Sequence, residues 1–149
     1  MKDPIRGSIE IMPPTWPRVL IAEDDDMLRG ALAEMLSGQG FQVVGQAATG
    51  EEALAVARML ESDVALVDYR MPGMNGIDLT ALLKEELPLI QVVMLTAYDD
   101  QSLNLDAVRS GVHSYLVKGC NPSLIMETVH RAWLDKGKME MAAKENSRP

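Results

Sequence analysis

Residues 64–76 read VALVDYRMPGMNG. Four apolar residues end on a single acid, Asp68, and the chain then passes into proline, asparagine and two glycines. The first half has the length and Val/Leu content of a strand buried on both faces. The second half carries the residues of a tight loop. A carboxylate at the mouth of an apolar strand is costly unless something pairs with it. Asp68 is therefore either solvated at a loop entrance or part of a built site, and the flanking segments decide which.

Outward from this stretch the same grammar repeats. RVLIA (18–22), FQVVGQA (41–47), DVALVD (63–68), IQVVMLTA (90–97) and VHSYLVK (112–118) are short, apolar and rich in Val, Ile and Leu. Each is followed by residues at helical spacing: DMLRGALAEMLSGQG (26–40), TGEEALAVARML (49–60), GIDLTALLKEEL (76–87), DDQSLNLDAVRSG (99–111) and NPSLIMETVHRAWLDKG (121–137). In the first of these, Met27, Leu28, Ala31, Leu32, Met35 and Leu36 form the apolar face, with Gly38 and Gly40 as stops. Thr49 and Glu52 read as a capping box, Pro88 ends the third helix and Gly111 the fourth. In the last, Asn121 caps, Pro122 sits in the first turn and Gly137 ends the helix. Five strand–helix pairs predict an α/β fold, a parallel sheet with helices on both faces. Without a Gly-rich dinucleotide turn, the flavodoxin-like order 2-1-3-4-5 is favoured over a full Rossmann fold.

The 149 residues are expected to form one domain over 18–136, preceded by a loose N-terminal arm or expression remnant (1–17, with four prolines) and followed by a polar tail or linker (137–149). Apolar residues make up 47% and charged residues 24%, the proportions of an ordinary globular chain. The single cysteine, Cys120, excludes an internal disulfide and fits a reducing compartment. With no long apolar span and no signal-peptide core at the N-terminus, the chain reads as cytoplasmic, with no membrane partner. Net charge is −8, and residues 18–136 carry 9 Lys and Arg against 18 Asp and Glu. So acidic a domain is expected to bind no DNA by itself.

In doubly wound sheets, sites lie beyond the carboxyl ends of the strands. Strand 1 ends in Glu23–Asp26, strand 3 in Asp68, strand 4 in Thr96 and strand 5 in Lys118. In the order 2-1-3-4-5 these four ends are neighbours. Each has a plainer reading alone: acids after a strand favour a helix N-terminus, Thr96 could open a helix, and Lys118 could be a solvated strand end. Asp25 and Asp26 fit the plainer reading, as first-turn acids. Together, though, Glu23, Asp24 and Asp68 would repel one another in a partly buried pocket. A hard divalent cation such as Mg²⁺ resolves this. Thr96 supplies a hydroxyl donor and Lys118 a mobile positive charge, which completes a cradle for a transferring phosphoryl group. Asp68 is then the nucleophile. Tyr98 is placed to shield the pocket. His113 and His130 lack ligand spacing and receive no metal role.

The motifs VLIAEDDD, VALVDYRMPGMNG, VVMLTAYDD and SYLVKG resemble the receiver domain of two-component response regulators over Arg18 to about Lys136. The resemblance implies a (βα)5 receiver fold with Asp68 as phosphoacceptor. It implies Mg²⁺ held by Glu23, Asp24, Asp68 and the backbone carbonyl of Arg70. Thr96, with Ala97 beside it, and Lys118 fall on the phosphate-binding and switch positions, and Tyr115 on the aromatic that swings inward on phosphorylation. The expected role is a phosphorylation switch, not an enzyme beyond its own phosphotransfer and slow dephosphorylation. A sensor histidine kinase or phosphotransfer protein would donate, within a phosphorelay, and phosphorylation would change the surface of helix 4, strand 5 and helix 5. Two positions depart from the pattern: Glu23 stands where Asp is commoner, and Gly119 where many receivers have proline. KGCNPSLIMETVHRAW is similar to the NarL/FixJ-type branch, which implies control of transcription through a helix-turn-helix output domain and homodimerisation on phosphorylation. Residues 137–149 are too few for such a domain, so the expectation is an excised receiver or a stand-alone regulator acting by protein contacts. Two competing readings are a haloacid-dehalogenase-like phosphohydrolase, which wants Thr or Val where Leu28 stands, and a flavin module, which wants a Ser/Thr/Gly-rich phosphate loop after strand 1.

Overall fold

A computed structural model describes residues 16–97 and 101–146, the side chains of 101 and 102 excepted. Five strands, β1 (Arg18–Ala22), β2 (Gln42–Ala47), β3 (Val64–Asp68), β4 (Gln91–Thr96) and β5 (Ser114–Val117), alternate with five helices. These are α1 (Asp26–Gly38), α2 (Gly50–Met59), α3 (Gly76–Glu86), α4 (Gln101–Ser110) and α5 (Pro122–Asn146). The strands form one parallel sheet in the order β2-β1-β3-β4-β5, the flavodoxin-like arrangement expected. Both faces of the central strands are apolar, which is why they read as unbroken hydrophobic runs. Val19, Ile21, Val64, Leu66, Val93 and Leu95 point to one side, under α1 and α5. Leu20, Ala22, Ala65, Val67 and Val92 point to the other, under α2 and α3.

The register between β1 and β2 shifts after Val19, and Leu20 comes to lie opposite Gly45. A Cβ on Gly45 would stand 2.5 Å from Val56 Cγ1, so only glycine lets α2 settle this close to β2. Helix starts follow the expected chemistry with two adjustments. Asp25 is the N-cap of α1, accepting from the amides of Met27 and Leu28, and Asp26 alone is a first-turn acid. Thr49 caps α2 by accepting from the amide of Glu52, while Glu52 reaches back to the amide of Ala48, one residue before the cap. On α1 the buried face runs through Leu32, Ala33 and Leu36, not Ala31, and Met27 is 86% exposed.

Two expected boundaries are corrected. The arm ends sooner than residue 17: Pro17 is buried and its carbonyl accepts from the amide of Gln42, and Trp16 packs edge-on against Phe41 at 5.3 Å. The last helix does not stop at Gly137 but continues to Asn146, so residues 137–146 are helical and not a loose tail. A glycine inside a helix costs about 1 kcal/mol relative to alanine, and contacts on either side offset it. Lys136 Nζ lies 2.8 Å from Asp63 Oδ1, and Met139 Sδ accepts from Gln91 Nε2 at 3.3 Å. The segment beyond, KMEMAAKEN, is also rich in strong helix formers.

Candidate functional site

The carboxyl ends of β1, β3, β4 and β5 meet at one edge of the sheet. β3 delivers Asp68 there, 4% exposed, and Glu23, one residue beyond β1, is 1% exposed. Glu23 is held from three directions. Its amide donates to the carbonyl of Ala47, its own carbonyl accepts from the Arg29 guanidinium at 2.8 Å, and its Oε2 accepts from the amide of Asp25 at 3.2 Å. Asp24 projects from the same turn and is exposed. One carboxylate oxygen from each of Glu23, Asp24 and Asp68 lies within 4.8 Å of the other two.

Among the described residues, one ammonium serves this cluster. Lys118, just past β5, has Nζ 3.0 Å from Asp68 Oδ1 and 3.1 Å from Glu23 Oε1. Its backbone amide is tied to the carbonyl of Thr96. Apart from its ion pair with Lys118, the buried Glu23 Oε1 has no hydrogen-bond partner. Burial pushes the Glu23 carboxyl up to about 7, with the amide of Asp25 pulling it down and the charge of Asp68 pushing it up further. Burial also raises Asp68, although Lys118 opposes it. Lys118 is lowered by burial, but Asp68 and Glu23 outweigh that and hold it above its ordinary value. The cluster thus has more acid than it can keep ionised. An orphaned carboxylate oxygen beside two further hard oxygen donors fits a hard divalent cation.

Thr96, the last residue of β4, is fully buried, and together with Ala97 and Arg70 it lines the same cleft. Tyr115 sits on β5 opposite Met94, half-buried, and is not among the described residues lining the cleft. Tyr98 lies outside the described residues. The loop after Asp68 is shaped by close approach. Asn75 caps α3 through the amide of Asp78, the amide of Gly76 donates to the carbonyl of Tyr69, and a Cβ on Gly76 would stand 2.5 Å from the carbonyl oxygen of Asp68. The first turn of α3 can lie against the backbone of Asp68 only because residue 76 has no side chain. The tight glycine-bearing loop reads from the sequence, but the role of Asn75 as the cap of α3 does not. Arg29 as a support for Glu23, and the sharing of Lys118 between two acids, were likewise not anticipated. Arg29 stands six residues beyond Glu23 on the next helix, a spacing that a search for helix partners of the acidic turn would have found.

The family described as "Response regulator receiver domain" matches residues 19–130. The transcriptional regulatory protein LnrK of Bacillus subtilis (strain 168) is 35% identical over 113 residues, covering 75% of this chain and 51% of that protein. The chain spans about half the length of the curated relatives it matches. Among solved structures, a CheY-like receiver domain protein from Methanospirillum hungatei JF-1 superposes with a TM-score of 0.78 at 25% identity, covering 84% of this chain and 99% of that one. The signal receiver domain of NarL from Mycobacterium tuberculosis does so with a TM-score of 0.73 at 33% identity, covering 84% and 98%.

Proposed function

This chain belongs to the response regulator receiver domain family, and from that premise we propose that it is a phosphorylation switch whose acceptor is Asp68. The observation that carries the reading is the placement of Asp68: buried at the end of β3, within ligand reach of Glu23 and Asp24, and beside Lys118. In the transfer, an Asp68 carboxylate oxygen bonds to the phosphorus of a phosphohistidine on the donor, a sensor histidine kinase or phosphotransfer protein. The P–N bond breaks and its electron pair returns to the imidazole nitrogen. Lys118 exchanges one acid partner for a phosphoryl oxygen, and the Thr96 hydroxyl, with Ala97 beside it, lines the volume that group would enter. Glu23, Asp24, Asp68 and the backbone carbonyl of Arg70 would hold Mg²⁺. The cation, when bound, offsets the repulsion between the acids and the incoming group.

The reading makes the chain a switch, not a turnover enzyme. Tyr115 would change rotamer once Thr96 moves toward the phosphoryl oxygens, which alters the surface of α4, β5 and α5 that a partner reads. One relative is called a transcriptional regulatory protein, and transcriptional output from the cytoplasm through a domain beyond this chain is part of the proposal. No helix among the described residues is long and apolar enough to cross a membrane. Incubation with acetyl phosphate and Mg²⁺ tests the core of the reading. The expected result is about one alkali- and hydroxylamine-labile phosphate per chain, absent without Mg²⁺ and absent in Asp68→Asn. Incorporation that survives Asp68→Asn would overturn the assignment, and continuous phosphate release would favour a phosphohydrolase.

A further inference from the structure

β5 and α5 are joined by a side-chain relay that the acidic site does not use. His113, one residue before β5, is anchored by its amide, which donates to the carbonyl of Val92 at 2.7 Å. Its two ring nitrogens meet different partners. Nε2 lies 2.7 Å from Asp135 Oδ2 on α5, and Nδ1 lies 2.7 Å from the Ser114 hydroxyl at the start of β5. An ionised carboxylate only accepts, so Nε2 carries the ring proton when His113 is neutral. Nδ1 is then the lone-pair nitrogen, and the Ser114 hydroxyl donates to it. The hydroxyls of Ser62, Thr80, Ser110 and Thr128 are spent differently, each donating to a backbone carbonyl. A carbonyl takes no proton at neutral pH, whereas an imidazole does. A tie between β5 and α5 needs only the bond to Asp135. The second bond sets a base on a serine.

We propose that Ser114 is an activated nucleophile, a modification site that accepts an acyl group from an activated carboxylic ester or thioester. Nucleophile, base and orienting acid stand in hydrogen-bond contact in that order, the arrangement that makes a serine hydroxyl reactive. The two ring nitrogens exchange the parts they play in the serine-protease triad, and the path of the proton is otherwise the same. In the step, Ser114 Oγ bonds to the carbonyl carbon while its proton passes to His113 Nδ1. The bond from that carbon to the leaving oxygen or sulfur then breaks. The leaving group keeps the electron pair, and Nδ1 returns the proton to it. Asp135 stays ionised throughout and steadies the imidazolium, as a positioning residue. His113 is 14% exposed, so the base is shielded from water, while Ser114 is half-buried and open to a small reagent. β5 also ends the sheet, and its outer edge pairs with no strand among the described residues. The relay lies at the opposite end of β5 from Lys118 and shares no residue with the acidic cluster, so it stands or falls apart from the phosphorylation switch.

A fluorophosphonate probe added to the whole chain, read by intact mass and peptide mapping, tests it. About one adduct per chain is expected, at Ser114. Ser114→Ala should abolish it, His113→Gln should slow it about a hundredfold, and Asp135→Asn at least about tenfold, with far-UV circular dichroism unchanged in each. p-Nitrophenyl acetate given to the Cys120→Ala chain should release about one equivalent of p-nitrophenolate in a burst and leave an acetyl ester on Ser114. Heteronuclear NMR of the parent chain requires no variant to fold. The proton of neutral His113 should sit on Nε2, and Asp135→Asn should move it to Nδ1. A chain that takes no adduct, takes it at another residue or gives no burst overturns the proposal. So does labelling that ignores His113→Gln. A ring proton found on Nδ1 of the parent overturns it equally, since Ser114 would then be the acceptor.

Discussion

β3 begins and ends beside an aspartate, and each aspartate faces a lysine. Before the strand, Asp63 uses both oxygens: Oδ1 accepts from Lys136 Nζ and Oδ2 from the amide of Arg18, each at 2.8 Å. At its far end, Asp68 shares Lys118 with Glu23, whose Oε1 is left without a hydrogen bond. At the first end Lys136 serves Asp63 closely and the more exposed Glu140 only at 3.6 Å, and both Asp63 oxygens are hydrogen-bonded. The second has surplus acid. The same two residue types thus make a structural tie at one edge of the sheet and an unsatisfied pocket at the other. What separates them is not burial, since both acids are well enclosed, but the count of partners. A buried charge that is completely partnered anchors a fold, and one that is short of partners is poised to take a ligand.

The largest expected difference between the two ends is in stability. Asp63→Asn should lower the unfolding free energy by about 2–4 kcal/mol, because the largely buried Lys136 ammonium then faces an amide. Asp68→Asn, without divalent cation, should raise it by about 1 kcal/mol, since Lys118 is left with one carboxylate to serve. Urea unfolding of both variants checks this, and equal losses would erase the contrast. Glycine replacement sharpens it. Gly76→Ala forces a Cβ against the carbonyl oxygen of Asp68 and should cost about 1–3 kcal/mol. Gly137→Ala, with nothing within 4 Å of the added carbon, should gain about 0.5–1 kcal/mol. Thermal unfolding of the pair reads both signs.

Next in size is the response to Mg²⁺. At ten times its Kd the ion should stabilise the parent chain by about 1.4 kcal/mol. The gain should shrink in Asp24→Ala and persist in Asp26→Ala, whose carboxylate is engaged with Arg29, and in Lys136→Ala. Equal losses in the first two variants would show that the acidic pair has been placed one residue out. Smallest per measured step is the dependence on pH, where the two ends have opposite signs. Glu23 is raised by burial, so its favourable contribution is present below the ordinary value near 4.5 and is lost as pH rises through about 7 in the metal-free chain. Asp135 is lowered, chiefly by its bond to His113 at 2.7 Å, so its contribution is present above the ordinary carboxylate value and is lost as pH falls through the lowered one. Melting temperatures from pH 3 to 8 should show Glu23→Gln flattening only the upper limb and Asp135→Asn only the lower. If both variants flatten the same limb, the two edges are not electrostatically distinct.

Much of this was legible because strands buried on both faces spell themselves as apolar runs. Such strands also deliver whatever follows them to a common edge, so Glu23, Asp24, Asp68, Thr96 and Lys118 could be read from position alone. The opposite edge was not legible. Asp63 and Lys136 are 73 residues apart, and nothing local to either marks the other. Gly137 looked like a stop because its local preference is to end helices, and contacts from Lys136 and Met139 override that preference. Ala31 and Ala33 are the same residue two positions apart, so hydrophobicity could not tell the exposed one from the buried one. Only the angle at which α1 lies on the sheet does.

The strand that enters the sheet first, β1, lies between β2 and β3, while the helix made last, α5, packs across β3, β4 and β5 and ties down at Asp63. During synthesis the face of Val64, Leu66, Val93 and Leu95 therefore has no lid until Ile125, Val129 and Ala132 have left the ribosome. A nascent chain arrested before residue 122 is expected to be cut rapidly by protease, and one released after Lys136 to resist it. The clamp that completes this face sits at the edge of the sheet farthest from Asp68.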